Sequence, residues 1–133
     1  MNGDTALHEA LREGNPQRVE RLLADGVVDV HARDKDGRTP LHCAVYKGNL
    51  DVIRLLLDGG ADVNAQNVHG NTALHCAVYK ENLDVITLLL SWGADVNAWN
   101  KLKSTPLDDA ERKYLKIAPL LQEAGGKRGK DIL

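Results

Sequence analysis

A chain of 133 residues fits one domain, and its 43% hydrophobic and 27% charged residues are typical of a globular protein rather than a disordered or membrane one. The formal net charge of −2 indicates neither a nucleic-acid nor a membrane partner. Residues 1–5 lack the basic and apolar segments of a signal peptide, and no apolar run is long enough to span a bilayer. We therefore expect a cytoplasmic or nuclear protein that does not contact a membrane.

The first predicted unit begins with a short helix after Thr5, a residue type that favours the position before a helix. Its second helix carries Arg18 and Arg21 at positions where the following unit is apolar. A polar outer face is what the terminal unit of a stacked array needs. One extra residue near residues 26–28 is expected to fall in a loop.

The second unit contains the clearest helix signals. Thr39 suits the cap position, Pro40 suits the first turn, and Gly48 can end the helix in the left-handed conformation. Residues 50–57 place leucine and isoleucine on one face of a second helix, which Gly59 and the glycine after it end. Helices of about eight residues do not persist alone in water, so the units must stack to be stable.

The third unit repeats the second with two departures. Glu81 stands where the second unit has Gly48, and we expect it to destabilise the chain by about 1 kcal/mol if the backbone there is left-handed. Trp92 stands where the second unit has Gly59, either to pack between the last two units or to form a second contact surface.

The fourth unit departs further from the pattern. Asp108 replaces a histidine, and Pro119 falls near or inside the second helix. Because proline disrupts the interior of a helix, we expect this helix to start late, around residues 117–119, or to be kinked there. Residues 125–130 are predicted to form a frayed terminus.

One period of 33 residues relates the units, because residues 41–47 (LHCAVYK) recur unchanged at 74–80 and residues 60–65 (GADVNA) recur at 93–98. We divide residues 1–133, a single domain, into repeats at about 5–38 (N-terminal cap), 39–71, 72–104 and 105–126 (C-terminal cap), followed by a tail at 127–133.

Two segments resemble the signature of the ankyrin-repeat family: TPLHCA at residues 39–44 and TALHCA at residues 72–77. The resemblance implies an all-α solenoid of stacked helix-turn-helix units joined by β-hairpin-like loops. It also implies a non-catalytic protein-binding module without a cofactor. No nucleophile or phosphate-binding motif is present, and we interpret Asp108 and Asp109 as a feature of the helix cap, so we expect no catalytic residues.

Several histidines and cysteines are candidate ligands for a metal ion. They are His8, His42, His75, Cys43 and Cys76. Equivalent positions in stacked units lie about 8–10 Å apart, too far for one zinc coordination sphere or for a disulfide. We therefore predict no metal site and two reduced thiols, and the resemblance implies that each histidine orders its own turn by hydrogen bonds.

In the ankyrin family the hairpin tips and the exposed side of each first helix form a concave face where partners commonly dock. By this resemblance the partner-binding positions are Arg33, Lys35, Asp36, Arg38, Tyr46, Lys47, Gln66, Val68, His69, Asn71, Tyr79, Lys80, Trp99, Lys101, Leu102, Ser104, Arg112 and Lys113. Eight of these are lysine or arginine and one is acidic, so the face is predicted to be basic. We expect a monomer that binds an acidic protein surface with an apolar anchor, while the alternatives are charges that only maintain solubility, or contact with nucleic acid.

A different class of function is also open, in which the chain is a substrate. Asn64 and Asn97, each within the segment Asp-Val-Asn, resemble the pattern that asparaginyl hydroxylases modify in ankyrin repeats. The competing interpretation is that these asparagines order the turn between repeats. Addition of oxygen, detected in the intact mass after exposure to such an enzyme, would distinguish the two.

Overall fold

The computed structural model describes residues 5–26 and 28–132, and Val27 of the predicted 26–28 loop lies outside these ranges, as do the ends of the predicted domain. The helices in these ranges are α1 (Ala6–Glu13), α2 (Pro16–Ala24), α3 (Pro40–Lys47), α4 (Leu50–Asp58), α5 (Ala73–Tyr79), α6 (Leu83–Ser91), α7 (Pro106–Lys113), α8 (Ala118–Glu123) and a short 3-10 helix (Gly129–Asp131). The described residues contain no β-strand, so the predicted all-α class is confirmed.

Capping boxes start the first helix of every unit. In the second unit the Thr39 hydroxyl accepts a hydrogen bond from the backbone N–H of His42, and Nδ1 of His42 accepts one from the Thr39 N–H at 3.1 Å. The same box forms at Thr5, Thr72 and Thr105. Each threonine therefore fixes where its helix begins, as the sequence predicts.

The helices stack in two rows, with α1, α3, α5 and α7 in one row and α2, α4 and α6 in the other. Equivalent alanines in the first row, such as Ala44 at 1% exposure and Ala77 at 0%, let neighbouring helices approach closely. Leu41 and Leu74, at 1% and 0% exposure, fill the layer between the two rows. Each unit buries its apolar side chains against its neighbours, so stability depends on the interfaces between units.

Three histidines hold the loops that lead from one unit into the next. Because Nδ1 of each ring accepts from a backbone N–H, the ring proton lies on Nε2, which donates to the carbonyl of the last residue of its own unit, just before the capping threonine of the next unit. These bonds run from His8 to Arg38, from His42 to Asn71 and from His75 to Ser104, at 3.1, 2.9 and 3.0 Å. The predicted ordering of the local turn is thus confirmed, and the same side chain also fixes the junction with the next unit.

The hairpin-like loops also contact one another. The Val68 N–H donates to the Asp36 carbonyl at 3.2 Å, and the Lys101 N–H donates to the His69 carbonyl at 3.0 Å. Gly70 has a φ of +76°, and a Cβ there would lie 2.7 Å from the Lys101 nitrogen. Glycine is therefore required at this tip both by its backbone conformation and by the loop stacked on it.

The fourth unit starts its second helix late, as predicted, because α8 begins at Ala118 with no side-chain cap. The predicted fraying of residues 125–130 is wrong. The Lys127 N–H donates to Oδ1 of Asn97 at 2.7 Å, and the Gly129 N–H donates to Oδ2 of Asp108 at 2.9 Å. The tail therefore supplies hydrogen-bond partners for Asn97 and Asp108 and docks on the array.

Two further positions bear on stability. Glu81 has a φ of 54°, so the left-handed conformation on which its expected cost depends is present. Trp92 is 44% exposed and its N–H ends α6. No described helix is long and apolar enough to cross a membrane.

Candidate functional site

A cleft of about 440 Å³ opens on the face formed by the first helices of the first three units. We call it the central cleft, and its lining residues are Arg12, Arg38, His42, Cys43, Tyr46, Lys47, Cys76, Tyr79 and Lys80. Most of these belong to α3 and α5, whose stacking is fixed by the buried alanines and leucines described above. The volume falls within the range of cavities that bind small molecules or anchoring side chains.

Two tyrosines at equivalent positions line the cleft. Tyr46 is 63% exposed, and Nζ of Lys80 lies 4.3 Å from the centroid of its ring, which is a cation–π contact. Tyr79 donates its hydroxyl to Oδ2 of Asp109 at 2.8 Å. Burial raises the pKa of Tyr79, and the bond to Asp109 raises it further, so this phenol stays protonated at neutral pH.

The deepest lining residues are uncharged. Both ring nitrogens of His42 are engaged by Thr39 and Asn71, and burial lowers the pKa of His42, which keeps the ring neutral. Burial raises the pKa of Cys76 to about 11, so its thiol is also neutral at pH 7. Cys43 is buried and, like Cys76, is a thiol rather than part of a disulfide.

The cations around the cleft differ in how they are paired. Arg38 forms ion pairs at 3.0 Å with both Asp34 and Asp36. Burial tends to raise the pKa of Asp34, but hydrogen bonds from the backbone of Arg38 and Asp36, together with the Arg38 charge, lower it overall. Lys47 and Lys80 are exposed, and no carboxylate in the described parts of the chain forms an ion pair with either. The positive charge that is open to a ligand therefore lies with these two lysines.

The same face continues toward the C-terminus as two smaller cavities of about 260 and 160 Å³, which we call the C-terminal groove. Besides Tyr79, its lining residues are His69, Asn71, Asn100, Lys101, Leu102, Asp109, Arg112, Lys113 and Tyr114. Here one guanidinium nitrogen of Arg112 donates to Oδ1 of Asp109 at 3.1 Å and to the Ser104 hydroxyl at 2.8 Å. The charges of Arg112 and Asp109 are therefore satisfied within the protein.

The structure distributes the predicted face over these cavities and the loop tips. Five predicted residues line the central cleft and seven line the C-terminal groove, with Tyr79 in both, while neither is lined by Arg33, Lys35, Asp36, Gln66, Val68, Trp99 or Ser104. A nitrogen of Arg33 donates to the Gln66 carbonyl, and Nε2 of Gln66 donates to the Trp99 carbonyl at 2.9 Å, so these two side chains hold the tips together. Ser104 is only 6% exposed, which corrects its predicted position on the surface, because its hydroxyl accepts from Arg112 behind the groove.

Four residues that line the central cleft are not among the predicted partner-binding positions. Arg12 occupies the position equivalent to Tyr46, and applying the repeat register to the first unit would have found it. His42, Cys43 and Cys76 were assigned to the scaffold alone, although their edges also line the cleft. No signal in the sequence separates these two roles.

Both asparagines considered for hydroxylation make hydrogen bonds between units. Oδ1 of Asn64 accepts from the Asp95 N–H at 2.7 Å, and Oδ1 of Asn97 accepts from the Lys127 N–H at 2.7 Å. These bonds support the interpretation that the asparagines order the turns. Hydroxylation itself stays a prediction.

Among the described residues, one group of three side chains has the spacing of metal ligands. Donor atoms of His8, Asp34 and Cys43 lie within 4.8 Å of one another, a combination that crosses two units. However, Nε2 of His8 donates its proton to the Arg38 carbonyl, and the Asp34 carboxylate accepts three hydrogen bonds from Asp36 and Arg38. The side chains of His8 and Asp34 are thus already engaged in hydrogen bonds of the scaffold, which account for this group.

Comparison with known protein families agrees with the stacked helix pairs. A family model described as ankyrin repeats (3 copies) matches residues 1–67, which is half of the 133 residues. The chain belongs to the ankyrin-repeat family. A second ankyrin-repeat model, described as many copies, matches residues 46–90. Ankyrin repeats are modules for protein–protein interaction and are typically non-catalytic.

Several curated proteins share short segments with this ankyrin-repeat chain. Protein phosphatase 1 regulatory subunit 27 of Mus musculus is 45% identical over 51 residues, which is 38% of this chain and 32% of that protein. Ankyrin repeat domain-containing protein 49 of Mus musculus is 49% identical over 35 residues, 26% of this chain and 15% of that protein. Acyl-CoA-binding domain-containing protein 1 of Arabidopsis thaliana is 43% identical over 47 residues, 35% of this chain and 14% of that protein. The chain thus spans a third or less of the length of these relatives.

Proposed function

We propose that this ankyrin-repeat protein binds an acidic segment of a partner protein in the central cleft. The observation that carries the proposal is the combination of an uncharged floor with Lys47 and Lys80, two exposed cations that have no carboxylate partner among the described residues. An apolar side chain of the partner would enter the cleft, and neighbouring carboxylates would meet the two ammonium groups.

Each part of the cleft contributes a different component of binding. The rings of Tyr46 and Tyr79 offer large rigid surfaces to an apolar anchor, and tyrosine is enriched among the residues that dominate binding energies. The lysines attract the partner from a distance and select against basic partners, which affects the association rate more than the lifetime of the complex. We further propose a cytoplasmic or nuclear location, where the thiols of Cys43 and Cys76 would stay reduced.

A peptide-display selection against the folded chain tests the proposal. We expect the selected peptides to be enriched in Asp and Glu around one apolar residue, relative to the unselected library. The double variant Lys47→Glu and Lys80→Glu should then bind the best peptide about tenfold or more weakly, because two attractive charges become repulsive. Arg38 is left unchanged, since its ion pairs with Asp34 and Asp36 hold the hairpin loop.

The matched control is the double variant Arg21→Glu and Arg54→Glu. It makes the same change in net charge, but both residues lie on second helices, away from the central cleft. We expect it to bind the peptide within about twofold of the wild type. Selection of neutral or basic peptides, or an equal loss of affinity in both double variants, would refute the proposed function.

A further inference from the structure

We infer that the central cleft is also a binding site for a small amphipathic anion, an aromatic or aliphatic body that carries one carboxylate, sulfate or phosphate group. This inference goes beyond the proposed function, since it needs no partner protein. It concerns the cleft as a cavity for a whole molecule rather than as part of a protein interface.

The size and the lining of the cleft support this ligand class. Its volume of about 440 Å³ lies within the roughly 300–1,000 Å³ of small-molecule sites, which are mostly apolar with a few placed polar groups. The floor offers the edges of His42, Cys43 and Cys76; both ring nitrogens of His42 are already hydrogen-bonded, and the Cys76 thiol is neutral at pH 7. The Tyr79 hydroxyl is committed to Asp109, so mainly its ring faces a ligand.

The charges select an anion over a cation or a neutral molecule. The ammonium group of Lys80 is held over the Tyr46 ring, 4.3 Å from its centroid, and Lys47 lies on the same rim. None of the described acidic side chains lines the cleft. A ligand with its body on the floor therefore meets cations where it reaches solvent, and a cationic head group would meet repulsion there.

The C-terminal groove provides an internal contrast. It also contains basic residues, but Asp109 lines it and neutralises Arg112 at 3.1 Å. An anion that entered this groove would have to approach the Asp109 carboxylate. The difference predicts that an amphipathic anion binds at one place on the concave face, between α3 and α5.

Titration of the full chain with 4-phenylbutyrate and with 4-phenylbutylamine, followed in ¹H–¹⁵N correlation spectra, tests the inference. The two probes share one body and carry opposite charges. We expect saturable shifts at the amides of α3 and α5 with the carboxylate, with a Kd near or below about 1 mM, and at least about fivefold weaker binding of the amine. Absence of saturable shifts up to about 5 mM carboxylate, or equal binding of both probes, would overturn the inference.

Two variants test separately the contacts that the cleft makes with the body of the ligand and with its head group. Cys76→Leu fills part of the floor without a change in charge, and Lys80→Glu reverses one charge on the rim. Each should weaken the binding of 4-phenylbutyrate by about fivefold. Lys113→Glu, at the equivalent position of the fourth unit, should leave its affinity unchanged. If Cys76→Leu fails to fold, as judged by its circular dichroism, Lys80→Glu and Lys113→Glu still decide the outcome.

The same titration distinguishes this inference from the proposed function. Binding of 4-phenylbutyrate together with a failed peptide selection would overturn only the proposed function. Binding of acidic peptides at the cleft without binding of the carboxylate would overturn only the small-anion site. If both bind, 4-phenylbutyrate should displace the selected peptide, and simultaneous binding would contradict a shared site.

Discussion

The third and fourth units of this ankyrin-repeat array carry different residues at two equivalent positions, and these residues form different hydrogen bonds. His75 of the third unit donates to the carbonyl of Ser104, the last residue of that unit, whereas Asp108 of the fourth accepts from Gly129 of the tail. One position later, Cys76 is a neutral thiol, whereas Asp109 is a carboxylate that binds Tyr79 and Arg112.

This difference distinguishes the central cleft from the C-terminal groove. The acid at position 109 accepts from the neighbouring hydroxyl and guanidinium, so Arg112 is paired within the groove. The thiol at position 76 carries no charge, and Lys80, held over the Tyr46 ring, forms no ion pair with a carboxylate of the described residues. The residue at this position thus determines whether a carboxylate lines the neighbouring cavity.

The largest expected effect comes from giving the third unit the residue of the fourth. His75→Asp keeps a capping acceptor for the Thr72 N–H but cannot donate to the buried Ser104 carbonyl. We expect the free energy of unfolding to fall by roughly 2–4 kcal/mol in urea denaturation. His31→Asp changes the same residue types at an exposed histidine and should have little effect. Equal losses in the two variants would show that the bond from His75 to Ser104 is unimportant.

A smaller loss is expected on acidification. Burial lowers the pKa of His42 and of His75 in the folded chain, so between their folded and unfolded pKa values the unfolded state binds more protons. The contribution of these two histidines to stability is therefore fully present above about pH 6.5. Below that pH the free energy of unfolding decreases, by at most about 1.4 kcal/mol per pH unit for each histidine. Melting temperatures between pH 7.5 and 5 measure this slope. The His75→Asp variant should show a shallower slope, and a slope as steep as the wild type would contradict the assignment.

Asp109→Ala should remove the hydrogen bonds that Asp109 accepts in the C-terminal groove. Because Tyr79 and Arg112 lose a partner, we expect a loss of about 1–3 kcal/mol in the free energy of unfolding. The pKa of Tyr79, which burial and Asp109 both raise, should decrease in an absorbance titration of the phenol. Asp36→Ala removes an exposed ion pair with Arg38 and should cost less than about 1 kcal/mol, without an effect on Tyr79.

The smallest expected effect is a gain in stability. Glu81 has a left-handed backbone with a φ of 54°, so Glu81→Gly should raise the free energy of unfolding by about 1 kcal/mol. Glu81→Ala removes the same carboxylate but keeps the strained conformation, and it should give no such gain. A lower melting temperature for Glu81→Gly would refute the strain at this position.

Local rules in the sequence were sufficient to predict most of the scaffold. Thr39, Pro40 and Gly48 define a helix through caps and a fixed φ, all of which depend on a few adjacent residues. The late start of α8 follows from Pro119 for the same reason. The repeat register then indicates which helix surfaces share one face.

The site depended on contacts that no local rule contains. The bond of Tyr79 to Asp109 joins residues 30 apart and is decided by side-chain conformations at the interface of α5 and α7. The docking of the tail depends on acceptors of Asn97 and Asp108 that lie 30 and 21 residues from their partners in the sequence. The sequence could thus predict a basic face but not which of its cations are already paired.

The central cleft and the C-terminal groove are compared most directly by two matched single variants, Lys80→Glu and Lys113→Glu. The measurement is the rate at which a selected acidic peptide associates with each variant. The two positions are one period of 33 residues apart and undergo the same change in charge. If the central cleft is the binding site, Lys80→Glu should slow association about fivefold, and Lys113→Glu should slow it less than about twofold. Equal rates for the two variants, or a larger effect of Lys113→Glu, would contradict a binding site in the central cleft.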